Sequence, residues 1–393
     1  MDSPEVVLTA VAVQALALAH IILVVLDGVY IPRGVRTQYL EAGRGEAWRR
    51  QLLERTEEAE QRLFNATRIR RRLFQQLLIW LQVEAGLKDG KLISAEQKLL
   101  IFLMIVAQGL TFRKVAEDFQ HSTRSVSLYF HQVLKGMLLL HQELVQLPPN
   151  QTPKAMSEEP KARFLIDAIG ALDGTHLPIF IRDSEPRKPT FQNRKGYLSQ
   201  NVLAAVDFDM NFVFVLPGWE GSANDSKVLF DAFRKGFEVP EGRYYLADGG
   251  YSCNLPQLLV PFQKTRYHLR EQGLASVKPA NAEELFNLRH AQFRNVIERV
   301  FGVFKRRFKW FAVARIGYSL RTQVKVVYAA TALFNFMNKH GYDPEAEYEE
   351  IKELEDIAEE QDTLELEAID RRGMVARRAE IAELMWEDYQ QYR

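Results

Sequence analysis

The sequence predicts a mixed α/β protein, with helical regions on both sides of a strand-rich segment. Three observations support this class. Residues 41–146 show helical periodicity with few chain breakers, residues 164–251 contain short apolar runs, and two long helical patterns follow from residue 281 onward. Strands followed by a helix, a further strand and long helices are typical of a mixed α/β domain. The 393 residues leave room for more than one domain.

The N-terminal helical region contains a pattern that resembles a helix-turn-helix unit. Ser94, Thr111 and Ser122 are the predicted N-caps of three successive helices, because hydroxyl oxygens accept hydrogen bonds from first-turn amides. In a helix-turn-helix unit, the N-terminal part of the last helix faces DNA. A plain three-helix bundle explains the same pattern, so both interpretations stay open. In the first interpretation, the predicted DNA contacts are Arg124, Ser125 and Ser127.

A polar, Pro-rich stretch predicts a linker between the helical region and the strand-rich domain. The organisation predicted from composition is, in chain order, a hydrophobic segment at 1–40, a helix-turn-helix-like region at 41–146, the linker at 147–163, the α/β domain at 164–340 and an acidic helical tail at 341–393.

The net charge of zero hides a strong asymmetry along the chain. Residues 161–340 contain 26 Lys and Arg against 16 Asp and Glu, whereas residues 341–393 contain 6 against 18. A basic domain beside an acidic tail is typical of a domain that binds a polyanion and a tail that competes with that polyanion. A tail helix that is simply solvated is the plainer interpretation.

One apolar segment, residues 6–26, is nearly long enough to span a bilayer. Acidic residues stand where a signal peptide carries positive charge, and Gln14 and His20 disfavour a helix exposed to lipid. We therefore expect a buried helix or an extension without a role in function, with a membrane-tethered protein as the alternative. The single cysteine, Cys253, excludes an intrachain disulfide and favours a reducing compartment.

Two aspartates follow apolar strand runs in the α/β domain. Asp173 comes after AIGAL and Asp248 comes after YYLA, so each is expected where a strand ends. The carboxyl ends of strands form the edge at which α/β sheets bind ligands. Either Asp-Gly pair taken alone is more often only a turn.

A single acid, Glu298, interrupts the basic stretch at residues 294–311, most of which lies in the helix predicted over residues 281–308. Arg294 lies one turn earlier on the same face, and an apolar stripe on the neighbouring face packs the helix on the sheet, so Glu298 is expected to lean towards Asp173 and Asp248. Three carboxylates repel each other unless a cation neutralises them, and we expect the three to converge within one ion's coordination sphere. Oxygen ligands select Mg²⁺ or Mn²⁺, and two such ions form the clamp that cleaves phosphodiesters.

These acids lie in sequence blocks that resemble the PIF/Harbinger transposase family and the nucleases domesticated from it. The blocks, in order, are GALDGTH (170–176), GYLSQNVLAAVDFDMNF (196–212), GWEGSANDS (218–226), LADGGY (246–251), LFNLRHAQFRNVIERVFGVFKRRF (285–308) and ALFNFM (332–337). The resemblance implies an RNase H-like catalytic core in which Asp173, Asp248 and Glu298 form a DDE triad. It also implies that these acids bind Mg²⁺ or Mn²⁺, with two ions expected, and that the protein cleaves DNA strands.

The same resemblance implies DNA as the partner, a separate Myb-like DNA-binding protein and a nuclear location. A homodimer is expected because transposition usually needs two active sites. Two alternatives remain open: a domesticated DNA-binding protein that keeps the fold without the chemistry, and the membrane-tethered protein.

Several other polar residues are expected to support the site. His176 either orients a water or phosphate or is simply a packed histidine. Asp225 is expected to cap a helix, with a place at the metal site as the alternative. The basic residues predicted to neutralise DNA phosphates are Arg194, Lys195, Lys305, Arg306 and Arg307.

Overall fold

The computed structural model describes residues 44–91, 93–263, 265, 278–344, 347–348 and 373–391. The chain divides into two compact units, and each unit is assembled from separate stretches of the sequence. The first unit takes residues 1–145, 176–200 and 304–342, and the second takes residues 146–175, 201–303 and 343–393.

Helices and strands follow the order expected of a mixed α/β protein. In chain order they are α1 (Arg44–Leu53), α2 (Glu57–Thr67), α3 (Arg71–Val83), α4 (Ala95–Gln108), α5 (Phe112–Phe119), α6 (Thr123–Leu144), α7 (Lys154–Glu158), β1 (Ala168–Pro178), β2 (Ser199–Val206), β3 (Phe212–Glu220), α8 (Asp225–Arg234), β4 (Tyr244–Ala247), β5 (Leu258–Leu259), α9 (Ala282–Arg307), α10 (Leu320–Lys339) and α11 (Met374–Gln391). Short 3-10 helices occur at Pro160–Leu165, Lys188–Phe191 and Lys309–Phe311.

The three predicted N-caps of the helix-turn-helix-like region are confirmed. Ser94, Thr111 and Ser122 each accept a hydrogen bond from the amide three residues later, at 3.2, 3.2 and 3.0 Å. Gly109 ends α4 with a φ of 65°, a left-handed conformation that glycine adopts without steric cost. The layout of α4, α5 and α6 is therefore set by local capping, while contact of this region with DNA stays a prediction.

Helices α6 and α10 are joined by buried polar contacts in the first unit. His141 Nδ1 lies 3.2 Å from Thr331 Oγ1, and Asn335 Nδ2 donates to the carbonyl of Leu144 at 3.0 Å. Buried polar groups need such partners, because an unpaired one costs about 1–3 kcal/mol. These contacts fix the pairing of two helices that lie far apart in the sequence.

A five-stranded mixed sheet has the order β3-β2-β1-β4-β5. β1, β4 and β5 run parallel to one another. β2 and β3 form a hairpin, in which the amide of Asp207 donates to the carbonyl of Asn211 at 3.0 Å. Met210 adopts a φ of 61° within this turn, as the tight reversal requires.

The first strand is longer than the sequence pattern suggested. β1 continues from Ala168 to Pro178, so the expectation that Asp173 follows the end of this strand is wrong. Parallel pairing between β1 and β4, however, extends only to Leu172 and Ala247. Asp173 therefore leaves this ladder at the level of Asp248, which directly follows β4 as predicted.

A hydrophobic core in the second unit fixes the sheet against α8. Its buried side chains come from β1, β2, β3, α8 and the strands β4 and β5. They include Leu172, Leu203, Val213, Leu229, Phe237, Tyr245 and Leu258. This core holds the strand ends that carry Asp173 and Asp248.

The C-terminal helix α11 is attached to the second unit through buried apolar side chains, among them Ile381 and Met385, and through arginines. Arg377 donates to Asp167 Oδ2 at 2.5 Å, and Arg378 donates to the carbonyl of Pro261 at 2.9 Å. Arg163 forms an ion pair with Asp388 at the other end of the helix. Residues 349–372, which carry most of the acids of the predicted tail, lie outside the described residues.

No helix within the described ranges is long and apolar enough to cross a bilayer. The apolar segment at residues 6–26 lies outside those ranges.

We predict that His141 makes the protein less stable in acid. Its ring is buried, and burial lowers its pKa to about 3, well below the value near 6.5 that an unfolded chain gives. Because the unfolded chain binds the proton more tightly, the stabilisation is complete above pH 6.5 and declines as the pH falls towards 3, by about 2 kcal/mol at pH 5.

Urea unfolding of His141→Gln should therefore depend less on pH between 7 and 5 than unfolding of the parent does. The exposed His340→Gln is the matched control. An equal pH dependence in His141→Gln and the parent would contradict the prediction.

Candidate active site

Asp173 and Asp248 lie side by side where the pairing of β1 and β4 ends. Leu172 pairs with Ala247, so the next residue on each of the two parallel strands is an aspartate. Neighbouring strands are about 4.8 Å apart, which brings in-register side chains close together. One carboxylate oxygen of each aspartate accepts a hydrogen bond, at 2.7 Å, from the amide of the glycine that follows it.

Helix α9 presents Glu298 from a face that adjoins its buried side. Val296 and Ile297 of the predicted apolar stripe are fully buried. His290, on the same helix, contacts the carbonyl of Leu259 in β5 at 2.8 Å. Packing and this hydrogen bond fix the rotation of the helix, and they leave the Glu298 side chain 37% exposed.

Arg294 joins the strand acid to the helix acid. Its Nη1 donates to Asp173 Oδ2 at 3.2 Å, and its Nη2 donates to Glu298 Oε1. The Arg294 side chain is only 11% exposed. A guanidinium suits this position because it presents several donors in a rigid fork and stays charged when buried.

The charges in this cluster act strongly on one another. Burial raises the pKa of Asp173 to about 7; the cation of Arg294 opposes that shift, while the negative charges of Asp248 and Glu298 add to it. Burial acts to lower the pKa of Arg294, but the three acids raise it above its usual range. The cluster therefore favours a bound cation, and Arg294 supplies one.

Within the described part of the chain, no three His, Cys, Asp or Glu side chains are grouped closely enough to hold a metal ion. The expected convergence of the three carboxylates on one coordination sphere is therefore not seen, because the Arg294 guanidinium lies between Asp173 and Glu298. The donor chemistry nevertheless fits a hard divalent cation, since all the ligands are carboxylate oxygens. An ion that brings all three carboxylates into one coordination sphere has to displace the Arg294 guanidinium, which lies between Asp173 and Glu298.

The structure contradicts the expectation for one of the two predicted supporting residues and leaves the other as a prediction. Asn224, rather than Asp225, is the N-cap of α8, and its side chain accepts from the amide two residues later at 2.8 Å. Asp225 is the first helical residue, and its Oδ1 accepts from Asn201 Nδ2 at 2.8 Å. The capping role expected of Asp225 is therefore wrong. His176 Nδ1 lies 3.0 Å from Ser199 Oγ, and its role towards water or phosphate stays a prediction.

The residues predicted to contact DNA belong to the first unit. Ser125 and Ser127 are half-buried on α6. Arg307 is buried at 5% exposure, where it donates to the carbonyl of Arg68 and stacks over the ring of Tyr342 at 4.2 Å. We therefore treat Arg307 as a packing residue. The exposed members of the predicted set are Arg124, Arg194, Lys195, Lys305 and Arg306.

Two further groups lie around the acids, and the first of them was not predicted from the sequence. The first is Asn201, whose amide reaches Asp225 from β2. The second is Tyr251, whose hydroxyl is buried and has no hydrogen-bond partner among the described residues. Burial raises the pKa of Tyr251 well above its usual range, and the charges of Asp173, Asp225 and Asp248 raise it further. No local sequence signal gives the position of Asn201 beside Asp225, because it depends on how β2 packs in the fold.

Comparison with protein families places these acids in a known domain. Residues 172–335 match the family described as DDE superfamily endonuclease, and this range includes Asp173, Asp248 and Glu298. Residues 42–139 match a domain of unknown function, DUF8040. No solved structure matches the chain.

Similar curated proteins have low identity to the chain. "Protein ALP1-like" of Arabidopsis thaliana is 25% identical over 194 residues, which is 44% of this chain and 47% of that protein. "Putative nuclease HARBI1" of Homo sapiens is 23% identical over 286 residues, which is 68% of this chain and 77% of that protein. The chain thus spans about half the length of the ALP1-like protein and about three quarters of the length of HARBI1. Residues 172–335 of this chain are thus similar to the DDE superfamily endonucleases, and its relatives include a protein named as a putative nuclease.

Proposed function

We propose that the protein is a divalent-metal-dependent DNA endonuclease or transposase that uses Asp173, Asp248 and Glu298 to cut phosphodiester bonds. The observation that carries the proposal is the register of β1 and β4, which sets Asp173 beside Asp248, together with the Arg294 bridge to Glu298. The match of residues 172–335 to the DDE superfamily endonuclease family supports an RNase H-like core around these acids. The name of the relative HARBI1 describes a nuclease, which supports DNA as the substrate.

The three acids would hold Mg²⁺ or Mn²⁺, with two ions in the complete site. Such ions activate a water and neutralise the departing oxygen when they are bound. The chain's own contribution is orientation: the glycine amide after each aspartate fixes one carboxylate oxygen. The second oxygen of Asp248 lies 3.8 Å from where a Cβ on Gly250 would be, and the exposed glycine leaves access to it from solvent.

Exposed cations of the first unit would neutralise the DNA backbone. Arg124 and the pairs Arg194–Lys195 and Lys305–Arg306 are the residues that supply this charge. A homodimer, a Myb-like partner and a nuclear location belong to the same proposal, and each rests on the resemblance to Harbinger transposases.

We predict that Asp173→Asn, Asp248→Asn and Glu298→Gln each abolish nicking of supercoiled plasmid in Mg²⁺ or Mn²⁺. Each change removes a carboxylate oxygen's charge while keeping the side-chain shape, so affinity for DNA in a mobility-shift assay should persist. Asp209→Asn, at an exposed acid in the β2–β3 turn, is the matched control and should cut like the parent.

Two outcomes of this assay would reject the proposal in different ways. Variants that cut as well as the parent would show that the triad assignment is wrong. A parent chain that binds DNA but never cuts it would support the catalytically silent DNA-binding protein instead.

We predict that Arg294→Met destabilises the metal-free protein by about 3 kcal/mol, because it leaves the acids without their buried counter-ion. Mn²⁺ should then raise the thermal unfolding midpoint of the variant more than that of the parent, since the ion no longer has to displace a guanidinium. Arg294→Lys should fall between the two, because one ammonium cannot form the same fork. An equal response to Mn²⁺ in all three proteins would refute this role of Arg294.

We predict that Arg194→Ser combined with Lys195→Ser weakens DNA binding without changing sequence preference. The logarithm of the affinity falls as the logarithm of the salt concentration rises, and loss of two phosphate contacts should make this negative slope shallower by roughly two. Lys188→Ser is the control from the same loop, because Lys188 is already paired with Asp183. If the double variant keeps the parent's salt slope, these residues do not contact phosphates.

A further inference from the structure

A buried side-chain oxygen without a partner lies beside the candidate active site. Asn201 of β2 is 1% exposed, and its Nδ2 donates to Asp225 Oδ1 at 2.8 Å and to the carbonyl of Ala223 at 3.3 Å. Because both partners are acceptors, the orientation of the amide is fixed by chemistry. Its Oδ1 therefore faces the other way, where it has no hydrogen-bond partner among the described residues.

The space in front of this oxygen exists because residue 174 is a glycine. Gly174 does not have a positive φ, so its backbone conformation does not require glycine. A Cβ at this position would lie 2.9 Å from Asp225 Oδ1 and 3.3 Å from Asn201 Oδ1. Oxygens from two different elements, β2 and α8, thus converge on the gap that the missing side chain leaves.

The charges around this gap select the kind of ligand. A buried acceptor needs a donor or a cation to offset its lost hydration. Asp225 lies at the gap, and Asp173 precedes Gly174 in the chain. Burial has the largest effect on the pKa of Tyr251, and the negative charges of both acids raise that pKa further. This negative field disfavours an anion and favours a cation.

The donor atoms narrow the choice further. A carboxylate oxygen and an amide oxygen are ligands of hard divalent cations, which usually keep several waters as well. The Asp225 side chain is exposed, so an ion can reach the gap from solvent. Neither oxygen belongs to the pair of acids that Arg294 bridges.

We propose that Asn201 Oδ1 and Asp225 bind a divalent cation, Mg²⁺ or Mn²⁺, in the gap over Gly174. This position is separate from the acids bridged by Arg294. The inference deepens the proposed nuclease function, on which it rests, by adding a cation position next to the ions that the three acids would hold. Asn201 thereby becomes a metal-binding residue, and Gly174 becomes the residue that keeps the position open.

The test is a Mn²⁺ titration of the full chain without DNA, in which electron paramagnetic resonance measures the free ion. Gly174→Ala fills the gap without changing the charge, and Asp225→Asn removes the carboxylate charge without filling the gap. Each variant should bind one Mn²⁺ fewer per chain than the parent, or bind that ion at least tenfold more weakly. Asp209→Asn removes an exposed acid elsewhere and should bind like the parent.

Thermal unfolding of each variant shows whether it is folded, and Asn201→Ser replaces any variant that is not. If the folded variants bind as many Mn²⁺ ions as the parent with the same affinity, the proposal is overturned and the Asn201 oxygen is satisfied by water. Plasmid cleavage by the parent is measured separately. A parent that does not cut, but loses one Mn²⁺ on Gly174→Ala, would refute the nuclease function and leave the ion site standing.

Discussion

The parallel pairing of β1 with β4 is the constraint on which the candidate site depends. The ladder stops at Leu172 and Ala247, and an aspartate follows on each strand. Two carboxylates are therefore brought together by backbone hydrogen bonds that do not involve their own charges. Buried side chains beneath the strands hold this register, so the core stabilises an arrangement that electrostatic repulsion alone would open. Asp173 and Asp248 lie close together because strand pairing holds them there. A nearby cation reduces the repulsion between the two carboxylates.

Arg294 is that cation in the chain itself. It is nearly buried, and it pairs with an acid of the sheet and with an acid of its own helix. A buried guanidinium with two carboxylate partners is a well-satisfied group, whereas the same carboxylates without it would be uncompensated. The arrangement therefore has two ways to neutralise its acids, an internal one and an external ion, and they compete for the same oxygens. Asn201 and Asp225 differ, because their free space is held open by Gly174 and does not depend on Arg294 moving.

Local features of this fold were predictable, and tertiary ones were not. The caps at Ser94, Thr111 and Ser122 and the β2–β3 hairpin follow from residues within a few positions of one another, so sequence alone indicates them. The ion pair of Arg294 with Glu298 was also foreseeable from their spacing of four on one helix. The second contact of Arg294, with Asp173, was not, because it joins residues 121 positions apart.

The burial of Arg307 could not be predicted from the sequence, for the same reason as the contact of Arg294 with Asp173. A run of cations at a helix end predicts a solvated face, but the partners of Arg307 come from the distant residues Arg68 and Tyr342. The extension of β1 past Asp173 likewise depends on strand pairing, which the Asp-Gly pattern does not reveal.

The attachment of α11 changes how ionic strength acts on the whole molecule. The helix binds its unit through partly exposed pairs of opposite charge, such as Arg377 with Asp167, while Glu380, Glu383 and Glu387 face solvent. Salt screens such pairs just as it screens contacts with a polyanion. A rise in salt therefore weakens the ion pairs of this helix and the contacts with a bound polyanion at the same time. The salt dependence of this protein therefore has two contributions, one from the ion pairs of α11 and one from contacts with a bound polyanion. Only a comparison of matched variants can separate them.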